Sequence, residues 1–115
     1  MGNQSRVTFE SVNPARPSEV VDTFPIQERA DVDAAVAAAT AAQIAWAKVP
    51  IPERAEKIAA VGEYMAARKD ELSRLVTREA GKILIEAGGD VQEAIDMAWF
   101  VAGQGRAAWG TTHPS

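Results

Sequence analysis

Arg78-Glu79-Ala80-Gly81-Lys82-Ile83-Leu84-Ile85-Glu86 is the stretch that decides how this chain folds, because Gly81 separates two helical patterns. Upstream, Leu72, Leu75 and Val76 recur at helical spacing, which predicts a helix over roughly Asp70 to Ala80 with those three side chains inward. Gly81 is the natural residue after its last turn, where a left-handed backbone suits a residue without a Cβ. Downstream, a final helix is expected to begin near Ile83 or after Gly88-Gly89. It places Val91, Ile95, Ala98, Ala102 and Trp109 on one side. Trp99 and Phe100 fall off that stripe, so two faces of this helix are expected to be buried. Two buried faces in so short a chain point to a missing partner surface.

Working outward, Val49-Pro50-Ile51-Pro52 breaks the chain before another helix. Pro52 suits its first turn, Glu53 complements its dipole, and Ile58, Val61 and Met65 form its apolar stripe to about Arg68. Before the break, Asp31 reads as an N-cap. Val32, Val36 and Ala39 then carry an alanine-rich helix to Trp46. The helical segment as a whole spans 31–110. Residues 6–26 read as a β-hairpin, with Val7, Phe9 and Ser11 alternating against Thr8, Glu10 and Val12. Asn13-Pro14-Ala15-Arg16-Pro17-Ser18 is its turn: two prolines fix φ and Asn13 can bond its own backbone. Glu19 to Phe24 is the return strand, closed by Pro25. The predicted fold is mainly α with a short N-terminal β-hairpin.

The bulk numbers exclude several classes. At 115 residues the chain fits one domain, and 47% hydrophobic with 24% charged residues is ordinary for a globular protein. A net charge of −4, with basic residues scattered among acids, argues against nucleic acid and anionic membrane as partners. No apolar run approaches membrane-spanning length. Zero cysteines exclude disulfides and thiolate metal sites and suit a reducing cytoplasm. Met1-Gly2-Asn3-Gln4-Ser5-Arg6 has no apolar core of a signal peptide, and Arg6 spoils its likeness to a myristoylation start. Asn3-Gln4-Ser5 is a glycosylation sequon that has meaning only on a secreted chain.

Four features invite a functional reading, and each has a plainer one. Gly103-Gln104-Gly105-Arg106-Ala107-Ala108 matches the dinucleotide fingerprint G-x-G-x-x-A. That motif needs a strand before it and a helix after it, whereas here a helix precedes it, so close helix packing is the better account. Glu86, Asp90, Glu93 and Asp96 are an acidic set without a calcium-loop pattern, better read as a solvated face. His113 is the only histidine and has no recognisable acid or nucleophile partner. Trp46, Trp99 and Trp109 read as core or interdomain contacts in preference to a ligand surface.

The hairpin with Asn13-Pro14-Ala15, the alanine-rich helix ending at Trp46, Pro52-Glu53-Arg54, and Glu79-Ala80-Gly81-Lys82 occur in an order that resembles the N-terminal region of aldehyde dehydrogenases. Glu79-Ala80-Gly81-Lys82 looks like that family's Glu-Thr-Gly-Lys segment with Ala in place of Thr. Gly81 to Glu86 followed by Val91-Gln92-Glu93 is locally similar to its antiquitin-type branch, and Ala102-Gly103 with Gly110…Pro114-Ser115 completes the likeness, which covers roughly Val7 to Ser115. The resemblance implies the N-terminal helical portion of an α/β enzyme that oxidises aldehydes to carboxylic acids with NAD or NADP. In that family a cysteine thiolate attacks the carbonyl, hydride passes to nicotinamide, and a glutamate-activated water hydrolyses the thioester.

No position here matches the family's catalytic or cofactor motifs, so no catalytic, cofactor-binding or metal-ligating residue is assigned to this chain. The resemblance makes Glu79 and Lys82 structural, with Lys82 near the last helix carbonyls and Glu79 in a surface or interdomain pair. Residues 1–115 are therefore expected to be a partial aldehyde dehydrogenase-like domain, inert alone and using no cofactor by itself. Its expected partner is the remainder of such an enzyme, or a second copy through the same exposed apolar face. A non-catalytic interaction or complementation module is the alternative, and an unrelated closed helical bundle a third.

Overall fold

The computed structural model describes residues 7–107, 110, 112 and 113. Its elements are β1 (Thr8–Val12), β2 (Val20–Pro25), α1 (Arg29–Trp46), α2 (Ile51–Ala67), α3 (Lys69–Ala80) and α4 (Leu84–Gln104). The predicted fold class holds.

β1 and β2 pair antiparallel, with Phe9 opposite Phe24 and a bulge between Ser11 and Val12. The Phe9 and Phe24 rings meet at 5.7 Å, a cross-strand aromatic pair. The turn closes as its residue types demand: the Ala15 N–H donates to Asn13 Oδ1 at 2.9 Å, and Glu19 N–H donates to the Arg16 carbonyl at 2.8 Å. Two strands alone are marginal in water, and Phe9 remains 51% exposed, so the hairpin depends on what pins it elsewhere.

α1 begins two residues before the expected cap. Glu28 occupies the N-cap position, and Asp31 lies three residues inside, where its carboxylate accepts the Glu28 N–H at 2.9 Å. Asp31 thus supplies the far half of a capping box, so the residue type was right and its position wrong. No residue of α1 is buried, and Val36 is 60% exposed. An 18-residue helix can draw on alanine propensity, yet without packing it is marginal even so.

The core lies where α2 and α3 meet α4. Its buried apolar residues are Ala87, Val91 and Ile95, one stripe of α4 at helical spacing, with Ile95 at 1% exposure. α4 starts at Leu84, the earlier of the two expected places, and runs through Gly88-Gly89. α2 approaches α4 closely at two glycines, one from each helix. The Trp99 indole lies over Gly62, 2.8 Å from where a Cβ would stand, and Ala55 fills the corresponding space at Gly105. Ser73 is buried on α3 and bonds back to the Lys69 carbonyl at 2.7 Å.

Several inward assignments need correction. Leu75 of α3, and Ile58 and Val61 of α2, are exposed, because among the described residues no element covers those faces. Trp99 and Phe100 likewise do not form a second buried face, and Phe100 is 62% exposed. Trp109 and Arg6 lie outside the described residues, as does the sequon Asn3-Gln4-Ser5.

The outcome is an open body. Its radius of gyration is 19.6 Å, against about 13 Å for a compact chain of this length. It exposes 9088 Å², where a folded monomer of 12.3 kDa exposes about 6100 Å². The hairpin and helices do not close into one core, which removes the independent bundle as a description of this chain.

Candidate functional site

The Arg78–Lys82 stretch is where the hairpin is fastened to the helices. α3 ends in Gly81 at φ +70°, the left-handed conformation, and the Gly81 N–H donates to the Thr77 carbonyl at 2.9 Å. Glycine is required there twice over, since a Cβ would also stand 2.9 Å from Pro14 Cγ of the hairpin turn. The turn therefore settles directly on the helix end. From it Glu19 accepts Arg78 Nε at 2.6 Å and Asn13 Nδ2 at 3.1 Å, and Ser11 Oγ donates to Glu79 at 2.8 Å. Asn13 is itself buried, so the clasp has one desolvated polar member with its partners in place. On the other side of Gly81, Lys82 donates to Asp90 of α4.

Two of these groups, Glu19 and Lys82, are shifted toward their charged forms by their partners. The Arg78 hydrogen bond, then Asn13, holds the Glu19 carboxyl below the usual carboxylate range. Asp90 holds the Lys82 ammonium above its usual range, so it stays protonated and is no nucleophile. Glu71 is held low in the same way by Arg68. Glu79 is in a surface pair as expected, with Ser11, whereas the recorded partner of the Lys82 amine is Asp90 in place of the α3 carbonyls.

The remaining sequence candidates come out as follows. Gly103 and Gly105 sit at the end of α4, not after a strand, and Gly105 is packed on Ala55 as close helix contact requires. Gly103 makes no such approach. Of the acidic set, Asp90 pairs with Lys82 and Asp96 accepts Gln92 Nε2 at 2.9 Å; among the described residues no group of three potential ligands could hold a metal ion. His113 is exposed in the tail. Among the described residues no helix is long and apolar enough to cross a membrane.

Sequence reasoning did not find a groove of about 330 Å³ between the end of α1, the start of α2 and the end of α4. Trp46, Ile51, Ile58 and Val101 make it apolar, with Ala55 and Gly105 along its floor. Arg54 lines it too, and its Nε is buried without a hydrogen-bond partner among the described residues. Next in sequence to Gly105 and Ala55, Arg106 and Glu56 form an exposed pair at 3.4 Å. A signal was present in Pro52-Glu53-Arg54-Ala55, where a cation sits beside a small residue in a first helical turn. Nothing in the sequence placed it opposite Gly105.

The sequence model of the aldehyde dehydrogenase family matches residues 1–115. This chain belongs to the aldehyde dehydrogenase family. Among curated proteins it is 42% identical over 104 residues to an α-ketoglutarate semialdehyde dehydrogenase of Haloferax volcanii, covering 90% of this chain and 22% of that one. It is 44% identical over 91 residues to malonate-semialdehyde dehydrogenase 3 of Geobacillus kaustophilus, covering 79% of this chain and 19% of that one. To aldehyde dehydrogenase family 7 member A1 of Pisum sativum it is 37% identical over 108 residues, or 94% and 21%. The chain thus spans about a fifth of the length of these relatives.

Proposed function

We propose that this chain is the N-terminal part of an NAD(P)-dependent aldehyde dehydrogenase, and that its own residues supply packing and no catalytic group. The match of the family across residues 1–115 carries this reading. The whole enzyme would convert aldehyde, water and NAD(P)⁺ into carboxylic acid, NAD(P)H and a proton. The substrate we favour is a semialdehyde bearing a carboxylate, because the relatives from Haloferax and Geobacillus are named for such substrates.

The packing at Gly105 speaks against a pyrophosphate site there, since such a site needs open room above the glycine and Ala55 Cβ lies well inside contact distance of where a Cβ at Gly105 would stand. No step through the cofactor is therefore assigned to this chain. A nucleophilic thiolate cannot come from it either, since it has no cysteine. Glu19 and Glu71, held ionised by arginine partners, are poor candidates to activate water.

A second reading, a separable module that complements the rest of such an enzyme, is favoured by the surface exposed in excess. One experiment serves both. The chain is mixed with the Geobacillus kaustophilus relative lacking its matched segment, and NAD(P)H formation from malonate semialdehyde is followed. We expect no turnover from the chain alone and restored turnover from the mixture. Turnover by the chain alone would refute the proposal of inactivity, and no turnover from any ratio of the two would refute complementation.

A further inference from the structure

We propose that the opening between the hairpin turn, the second half of α3 and the start of α4 binds a dianionic phosphate group, held by Arg74, Thr77 and Arg78. The inference goes beyond the packing role above and does not rest on it.

The opening measures about 360 Å³, and its walls include three guanidiniums, Arg16, Arg74 and Arg78, against one carboxylate, Glu19. Glu19 is already engaged: it accepts Arg78 Nε at 2.6 Å and Asn13 Nδ2 at 3.1 Å, and lies 3.5 Å from Arg16 Nη1. Arg78 uses Nε in that bond, which leaves its two terminal nitrogens for a further acceptor. Arg74 has neither an ion pair nor a hydrogen bond among the described residues, although Asp70 stands one turn back on the same helix. Three cations against one anion leave two positive charges uncompensated, which matches the charge of a phosphate group near neutrality. Guanidinium forks also fit phosphate oxygens in paired hydrogen bonds.

Thr77 is the second observation. It shares a face of α3 with Arg74 and Arg78, at helical positions i, i+3 and i+4. Its Oγ1 is buried without a hydrogen-bond partner among the described residues. Comparable hydroxyls in these helices bond back by one turn: Ser73 Oγ donates to the Lys69 carbonyl at 2.7 Å, and Thr40 Oγ1 to the Val36 carbonyl at 2.8 Å. Thr77 does not, so an unsatisfied donor remains in the wall of the opening. An oxyanion between Arg74 and Arg78 supplies its acceptor. The neighbouring helix ends do not decide the matter, since the last turn of α3 and the first turn of α4 present opposite poles. An apolar segment of protein would gain little here, because Leu84 is the one apolar side chain in the lining. A protein carboxylate would bring one charge where two are uncompensated.

The test titrates inorganic phosphate into the 115-residue chain at constant ionic strength and follows it by nuclear magnetic resonance. Amides of residues 74–78 and the Arg74 side-chain N–H should shift together, with a dissociation constant of about 1 mM or tighter. Arg74→Gln removes an exposed, unpartnered charge and should weaken binding about tenfold, and Arg74→Lys should recover part of the loss. Thr77→Val should weaken binding about threefold or more while leaving the denaturation midpoint unchanged or raised, whereas loss of a structural hydroxyl would lower the midpoint. Arg29→Gln, on a side chain 92% exposed on α1, should leave binding as it was. Acetate should bind at least about tenfold more weakly than phosphate. Glycerol 3-phosphate binding more tightly than inorganic phosphate would assign the group to a phosphorylated small molecule, and the reverse order to free phosphate. The proposal is overturned if about 20 mM phosphate shifts none of these signals, if acetate binds as tightly, or if Arg29→Gln weakens binding as much as Arg74→Gln.

Discussion

Gly62→Ala tests the packing of α2 on α4 with competing effects of known sign. Alanine is the better helix former in a helix interior, by roughly 0.5–1 kcal/mol. Against that, the new Cβ would stand 2.8 and 2.9 Å from Trp99 Nε1 and Cδ1, and 3.2 Å from Ala98 Cβ. Carbon contacts are comfortable at about 3.5–4.0 Å, so the indole must retreat by most of an ångström and the helices by a few tenths. Overpacking of this kind costs about 1–3 kcal/mol, which outweighs the gain in propensity and leaves a net loss of about 1–2 kcal/mol. Hydrogen exchange at the amides of residues 91–98 reads this interface directly, and where reclosing outpaces exchange every 1.4 kcal/mol appears as about a tenfold faster rate. In a Trp99→Ala background the indole clash is gone, so Gly62→Ala should there be neutral or slightly slow exchange. The reasoning fails if Gly62→Ala slows exchange in the original chain, or has the same effect in both backgrounds.

Other outcomes follow from the same geometry. Ile95→Ala removes the most buried large side chain and should cost about 2–5 kcal/mol, enough to render α4 sensitive to brief protease treatment. Gly81→Ala meets both a left-handed backbone and Pro14 and should destabilise by about 1–3 kcal/mol, measured as a lower denaturation midpoint; a raised midpoint would count against the clasp. The clasp should also respond to pH in opposite senses at its two ends. Glu19 is depressed in the folded state, so its contribution is present above the ordinary carboxylate pKa and is lost as pH falls through the lowered one. Lys82 is raised, so its contribution is present below the ordinary ammonium pKa and lost as pH rises through the raised one. Proteolysis of the hairpin across the pH range should therefore be slowest between those limits, and Glu19→Gln should flatten the acid side.

What the sequence made legible was local. Gly81 announced the end of α3, Asn13 its own turn, and Pro52 the start of α2, because each acts through its own backbone or its near neighbours. Asp31 announced a helix start but its cap was placed three residues too late, since an acid can serve at the cap or three residues in. What stayed hidden depended on elements far apart along the chain. Glu19 finds Arg78 59 residues away, and Ala55 finds Gly105 across α2 and α4. Periodicity also named Leu75, Ile58 and Val61 as inward, and it reports which face a helix would bury without reporting whether anything covers it. The groove with Arg54 was illegible for the same reason.

The bare α1 has a consequence for how this molecule melts. Residues 29–46 bury no side chain, and apart from Trp46 at the groove they should behave as a helical peptide does, fraying from the N-terminal end in under a microsecond and losing structure gradually on warming. The α2–α4 unit, held by side-chain packing, should instead lose structure in a single step. Circular dichroism of the free chain will therefore superpose a slope on a transition, and the calorimetric enthalpy will fall short of what its helix content suggests. Whatever comes to lie on α1 would convert the slope into part of the step, so the appearance of one cooperative transition is itself the sign that this helix has been claimed.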